Sequence, residues 1–264
     1  VDLPVAGSDE VALLTKVFGW FYFSINFGAF FSTLLTPYLL EHYGPQVAFG
    51  VPGILMAIAT FVFWLGRNHF AHIPPAGMDF ARELFSKTGF SIVARLTGLI
   101  LFISVFWSLY DQSSSAWVLQ AERMDRNFLG ITWLPAQVHA VNAILVLAFI
   151  PLNTYVLYPA VSRVFPLTAL RKISIGFFLT VLTFLISAYI DARLDAGATM
   201  NIRWQILAYV VLTMGEVMVY GTGLEFFYTQ APNRMKSLVM GLFLLALSIG
   251  NAFTSLVNVF IQRP

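Results

Sequence analysis

Residues 96–121, LTGLILFISVFWSLYDQSSSAWVLQA, run for 26 residues between Arg95 and Glu122 with a single formal charge, Asp111. As an α-helix rising about 1.5 Å per residue, the stretch is about 39 Å long, more than the roughly 30 Å hydrocarbon core of a bilayer. The rest of the chain matches it. The sequence is 58% hydrophobic and 11% charged, with a mean hydropathy of +0.78. A water-soluble fold of this length could not hide so much apolar surface, so the solvent is lipid and the fold class is an all-α membrane protein.

Six more apolar runs join the first. They span about Leu13–Leu40, Gln46–Leu65, Leu134–Ala160, Ile173–Ile190, Trp204–Tyr228 and Ser237–Ile261. Gly28, Ser32 and Thr36 recur every fourth residue in the first run, a small-residue ridge suited to close helix packing. Pro37 is expected to kink or end that helix. Residues 67–95 form the one long polar link, with Arg67, His69, His72, the Pro74-Pro75 pair and MDFARELFS, a candidate surface helix. They divide the chain into a first bundle (1–66), a linker (67–95) and a second bundle (96–264). The chain starts at Val1 with no targeting motif before its first span, and it reads as a piece of a longer protein.

Alternate links carry unequal charge. Those at 67–95, 161–172 and 230–236 hold four, three and two Lys or Arg, whereas the others with the tail hold five. The positive-inside rule makes the first set cytoplasmic, so the first span begins inside. A net charge of +2 gives no argument for nucleic-acid binding, and the absence of cysteine removes thiol catalysis and cysteine metal sites. The histidines have no metal-ligand spacing and read as solvated, His139 included. No hydrolase pair of carboxylates, Ser/His/Asp set or phosphate loop is present, so the chain is not expected to be an enzyme.

The polar residues inside the spans are the candidate site. Ser104, Ser108, Asp111 and Ser115 fall at i, i+4, i+7 and i+11, one polar stripe on an apolar helix. An acid at mid-membrane costs about 2.5–3.5 kcal/mol on insertion scales and marks a proton or substrate site unless neighbours merely bury it. Glu216 shares a stripe with Tyr209, Thr213, Tyr220 and Gly223, which predicts that it faces a cavity. Glu225, nine residues on, lies about 180° around a regular helix. That suits a gating or structural partner to a basic residue, with Gly221 and Gly223 able to loosen the helix between. Asn26 and Asn142 are amides in apolar runs, fit either for interhelical hydrogen bonds or for a ligand. Trp107 reads as core, and Tyr158 as an interfacial anchor. No span interior carries a Lys or Arg to neutralise the three acids.

FYFSINFGAF (21–30) is similar to the FYxxINxG signature of a family's fifth helix, and VFWSLYDQSSSAWVLQA (105–121) to its seventh. QVHAVNAILVLAFIPL (137–152), GEVMVYGTGLEF (215–226) and YTQAPNRMKSLVMGLFLL (228–245) match its eighth, tenth and eleventh helices in order. The chain thus resembles the proton-dependent oligopeptide transporters, the peptide branch of the major facilitator superfamily. The resemblance implies a partial bundle, about seven of twelve transmembrane helices. Helices one to four and twelve are absent, and with them an ExxER motif whose arginine would partner Asp111.

It also implies that the partners are di- and tripeptides, protons, the lipid bilayer and the missing helices. No cofactor is expected beyond protons as coupling ion, and the location is the plasma membrane, a bacterial inner membrane by the short loops. Asn26 and Asn142 would bond the peptide backbone, and Glu216 would hold its amino terminus or carry a proton. Asp111 would exchange a proton and a salt bridge. Trp107, Tyr110, Tyr220 and Phe243 would shape side-chain pockets, although relatives place an acid at Tyr110 and Trp at Phe243. Other readings are nitrate or a peptide-like metabolite on the same scaffold, or a truncated fragment that does not transport. A seven-helix photoreceptor is disfavoured, because the last span lacks an internal lysine.

Overall fold

The computed structural model describes residues 8–69, 77–78, 82, 85–232 and 235–261. Seven described helical segments are long and apolar enough to cross a membrane: Val17–Tyr43, Pro45–Asn68, Gly89–Glu122, Pro135–Ser162, Ala169–Asp195, Arg203–Gln230 and Lys236–Val257. They coincide with the seven expected spans. His72, the Pro74-Pro75 pair and most of the MDFARELFS surface helix lie outside the described residues.

Helix α1 (Ser8–Tyr43) does not end at Pro37 but continues past it, and α2 (Pro45–Leu65) follows at once. The turn between them needs Gly44, whose φ of 80° lies in the left-handed region that only glycine enters freely. Pro45 then occupies the first helical position, where its missing N–H costs nothing. Among the described residues nothing packs on the Gly28–Ser32 part of the expected ridge, while Thr36 is half-buried. Gly28 and Ser32 are exposed, and a Cβ on Gly28 would meet nothing within 4 Å.

The third span departs from one regular helix. Helix α3 (Lys87–Tyr110) starts before Leu96, with the Ser86 hydroxyl accepting from the Gly89 N–H as its N-cap. It gives way at Asp111–Ser114 to a 3-10 turn before α4 (Ala116–Glu122). The tighter turn breaks the expected serine stripe. Ser114 and Ser115 are exposed, and each donates its hydroxyl to the Asp111 carbonyl at 3.0 Å. Only Ser104 and Ser108 remain buried on the α3 face, packed against the last helix.

Outside the bundle a two-residue hairpin, β1 (Asn127–Phe128) and β2 (Ile131–Thr132), connects to a 3-10 turn at Pro135–His139. The fourth span comprises α5 (Ala140–Leu152), a π turn at Asn153–Leu157 and α6 (Tyr158–Ser162). Helix α7 (Ala169–Asp195) is capped by Thr168. The sixth span is α8 (Arg203–Glu216), a second π turn at Val217–Gly221 and α9 (Thr222–Gln230); α10 (Lys236–Ile261) is the last described helix.

Two close approaches fix the packing. Helices α7 and α8 meet through facing glycines: a Cβ on Gly176 would lie 2.7 Å from the Gly215 carbonyl, and one on Gly215 2.8 Å from the Gly176 carbonyl. Helix α10 lies on α3 at Gly250, where a Cβ would strike the Ser104 carbonyl, and the Ser108 and Thr254 hydroxyls bond at 2.6 Å. Without a water-driven hydrophobic term, such contacts are how membrane helices associate. At the hairpin end of the bundle, Asp125 and Asn201 clasp the hairpin to the start of α8. The Asp125 N–H donates to the Met200 carbonyl at 2.9 Å, and the Asn201 amide donates to the Asp125 carboxylate at 2.7 Å. Arg123 pairs with Asp195 beside them.

Candidate functional site

Glu216 is the centre of the buried polar network. It ends α8 just before the π turn, and 4% of its surface is exposed. The Tyr22 hydroxyl of α1 donates to its Oε1 at 2.7 Å, and the Asn142 Nδ2 of α5 donates to its Oε2 at 2.7 Å. Asn142 also donates to the Thr213 hydroxyl at 2.9 Å and accepts the Tyr110 hydroxyl at 3.1 Å, so both ends of its amide are used. One carboxylate therefore joins α1, α5 and α8, with α3 reached through Tyr110. Its described hydrogen-bond partners are all neutral. Hydroxyl and amide donors offset part of the cost of a buried carboxylate, and no described cation removes the rest.

An aromatic wall adjoins this network. Tyr220, in the π turn, lies 5.0 Å from the Tyr22 ring, 5.4 Å from Trp107 and 5.8 Å from Phe243, centroid to centroid. Trp107 stands edge-on to Tyr110 at 5.1 Å. Gly223 is required beside Phe243, since a Cβ there would come within 2.9 Å of the ring. Thus Trp107, Tyr110, Asn142, Glu216, Tyr220 and Phe243, anticipated separately, form one constellation. Apolar ring faces with a few convergent polar groups are the composition of a small-molecule site.

Three anticipated residues stand differently. Asn26 is buried, but its Nδ2 donates to the Tyr22 carbonyl of its own helix at 3.0 Å and does not reach the Glu216 network. Asp111 is half-buried just past the end of α3, with the Asn251 side chain of α10 beside its carboxylate. Glu225 lies beyond the π turn at 217–221, which interrupts the regular helix on which the 180° expectation rests. Glu225 lines a cavity of about 470 Å³ whose wall includes Tyr22 and Lys172.

Lys172 itself was assigned to a link, yet it sits in the first turn of α7 with its Nζ 4.2 Å from the Tyr158 ring centroid. Tyr158 is half-buried and lines the same cavity. His139 is not solvated. Its ring lies 6.0 Å from that of Tyr209, and its Nδ1 is buried. Tyr22 is the residue that sequence reasoning passed over. Its signal is its place four residues before Asn26, on the same helix face.

The family model described as POT family matches residues 8–96 and 86–264. Peptide transporter family 1 of Drosophila melanogaster is 33% identical over 239 residues, covering 73% of this chain and 32% of that protein. Human solute carrier family 15 member 2 is 33% identical over 225 residues, covering 70% of this chain and 31% of that protein. The chain therefore spans about a third of the length of these curated relatives.

Among solved structures, the POT family transporter PepTSo superposes with a TM-score of 0.83 at 34% identity, covering 98% of this chain and 66% of that one. An auto-inhibited POT family peptide transporter gives 0.76 at 32% identity, covering 98% and 65%. These relatives are transporters, and their fold is the helical bundle of the major facilitator superfamily, here in part. On the matched helices and the shared bundle, the chain belongs to the POT family.

Proposed function

We propose that the protein carrying this chain is a proton-coupled symporter of di- and tripeptides in the plasma membrane, with α1 beginning on the cytoplasmic side. The observation that carries the reading is the Glu216 carboxylate, buried between Tyr22 of the first bundle and Asn142 and Thr213 of the second. As an anion it accepts from both Tyr22 and Asn142. On taking a proton it loses acceptor capacity and the Coulombic share of both bonds. The link between the bundles then weakens, and the two can rock about a midplane site. A peptide ammonium would compete with the proton for the same carboxylate, which couples the two loads. Asn26 and Asn142 would bond the peptide backbone, while Trp107, Tyr110, Tyr220 and Phe243 receive side chains. Asp111, paired with Asn251, would be the second proton carrier, and Glu225 a gating group.

The names of the relatives support peptides over nitrate or another metabolite. The test is Glu216→Gln in the intact protein in liposomes. Accumulation of labelled di-alanine driven by an inward proton gradient is expected to vanish, because glutamine cannot cycle a proton. Accumulation at the wild-type level would overturn the coupling role.

A further inference from the structure

The cavity of about 470 Å³ lined by Glu225 reaches from one end of the bundle to the Glu216 network. Ser162 ends α6 and Lys172 stands in the first turn of α7, so this end of the cavity lies level with the exposed link at 163–166. From Ser162 to Ile150 the wall follows the fourth span inward for about 18 Å, at about 1.5 Å per residue. There Tyr22 packs with Ile150 and with Val217, the residue that follows Glu216, and all three line the cavity.

Among the described residues, Tyr22, Tyr110 and Tyr220 are the titratable groups around Glu216. Of the three it is Tyr22 that lines the cavity, and its hydroxyl lies 2.7 Å from the Glu216 Oε1. The rest of the wall suits water. Thr154, Ser162 and Thr222 bring hydroxyls, and Lys172 and Glu225 bring charges. None of them needs to be unpaired for this. The Thr154 hydroxyl donates to the Ile150 carbonyl and still accepts, and a charged group has bonding capacity beyond one partner. The volume is ample for waters that take about 30 Å³ each, with polar groups to bond them. Two wall glycines keep the space open: a Cβ on Gly19 or on Gly221 would meet nothing within 4 Å.

We propose that this cavity is the hydrated route by which the Glu216 proton leaves the protein, with Tyr22 as the relay. The inference rests on the coupling reading above, which puts the link at 163–166 on the cytoplasmic side. Glu216 passes its proton to the Tyr22 hydroxyl oxygen while the proton already on that oxygen passes to a cavity water. Glu216 is left an anion, Tyr22 neutral and the water a hydronium, whose charge moves along the waters to the link. A tyrosine, with an ordinary pKa of about 10, hands a proton on and does not stay ionised. Its hydroxyl then turns back to donate to Oε1. Trp107, Tyr220 and Phe243 do not line the cavity, so proton and peptide leave by different paths.

The chain has no cysteine, so Gly19→Cys or Gly221→Cys sets a single thiol on the cavity wall, in the intact protein with any cysteine outside this chain replaced. Each variant in liposomes is assayed before and after a cationic methanethiosulfonate reagent is added to both faces. The readouts are gradient-driven accumulation of labelled di-alanine and its counterflow without a gradient. Both thiols should be modified. Modification should bring accumulation down to the external concentration and leave counterflow at its untreated rate. Thiols that the reagent does not reach, or modified protein that still accumulates, would overturn the route while leaving transport standing. Loss of counterflow together with accumulation would also overturn it, by assigning the cavity to the peptide. Untreated wild-type protein that does not accumulate the dipeptide would sink the coupling reading, and the route with it.

Discussion

Asn142 uses one amide to hold three partners on two helices, Tyr110 of α3 and Thr213 and Glu216 of α8. Truncation to Asn142→Ala leaves a buried carboxylate short of a donor. It should cost about 1.5–3 kcal/mol, the range for hydrogen bonds to charged groups. Asn26→Ala removes a bond to its own helix and should cost about 0.5–1.5 kcal/mol. Thermal unfolding of the purified protein separates the two, and equal losses would contradict the unequal networks. The acids and amides were legible in the sequence because polar groups stand out in apolar runs. The Tyr22 hydroxyl was not, because a tyrosine in a membrane helix looks the same whether its ring packs or its oxygen bonds. Lys172 was misplaced by a single helical turn, since a boundary lysine belongs to link or helix according to tertiary packing.

Spans followed from hydropathy because length and composition alone decide whether a helix can cross a bilayer. The π turns at 153–157 and 217–221 did not, since those residues serve an α-helix equally well and only neighbouring helices select the wider turn. The same holds for the ridge at Gly28, which has the right spacing but no described helix against it. The glycines that do carry packing are Gly176, Gly215, Gly223 and Gly250. Gly250→Val should push α10 off α3 and cost about 1–3 kcal/mol in thermal stability, as overpacking does. An unchanged unfolding midpoint would contradict the close approach.

Beside the hairpin, the Asn127 N–H and the Asn201 amide hold the Asp125 carboxyl below its ordinary range. An acid so lowered stabilises the clasp above its unfolded value, and that stability is lost as pH falls through the lowered one. Asp125→Asn should therefore reduce hydrogen-exchange protection of the Asn127 amide severalfold at neutral pH. Wild-type protection should weaken only in acid.

The described helices form one framework in which α1 is tied to α5 and α8 through Tyr22, Asn142 and Glu216. A salt bridge at this position would need a cation, and the described spans place none there. The tie is instead made of neutral donors on one titratable acceptor. That arrangement is suited to a link that a proton can loosen, and it accounts for a costly acid at mid-membrane.

The most direct measurement is uptake of labelled di-alanine by the intact protein in liposomes, with and without an inward proton gradient. Accumulation above the external concentration only when the gradient is applied, and competed by unlabelled dipeptide, is the predicted result. Equal uptake with and without the gradient, from folded full-length protein, would contradict the central claim that these buried carboxylates couple protons to peptide movement.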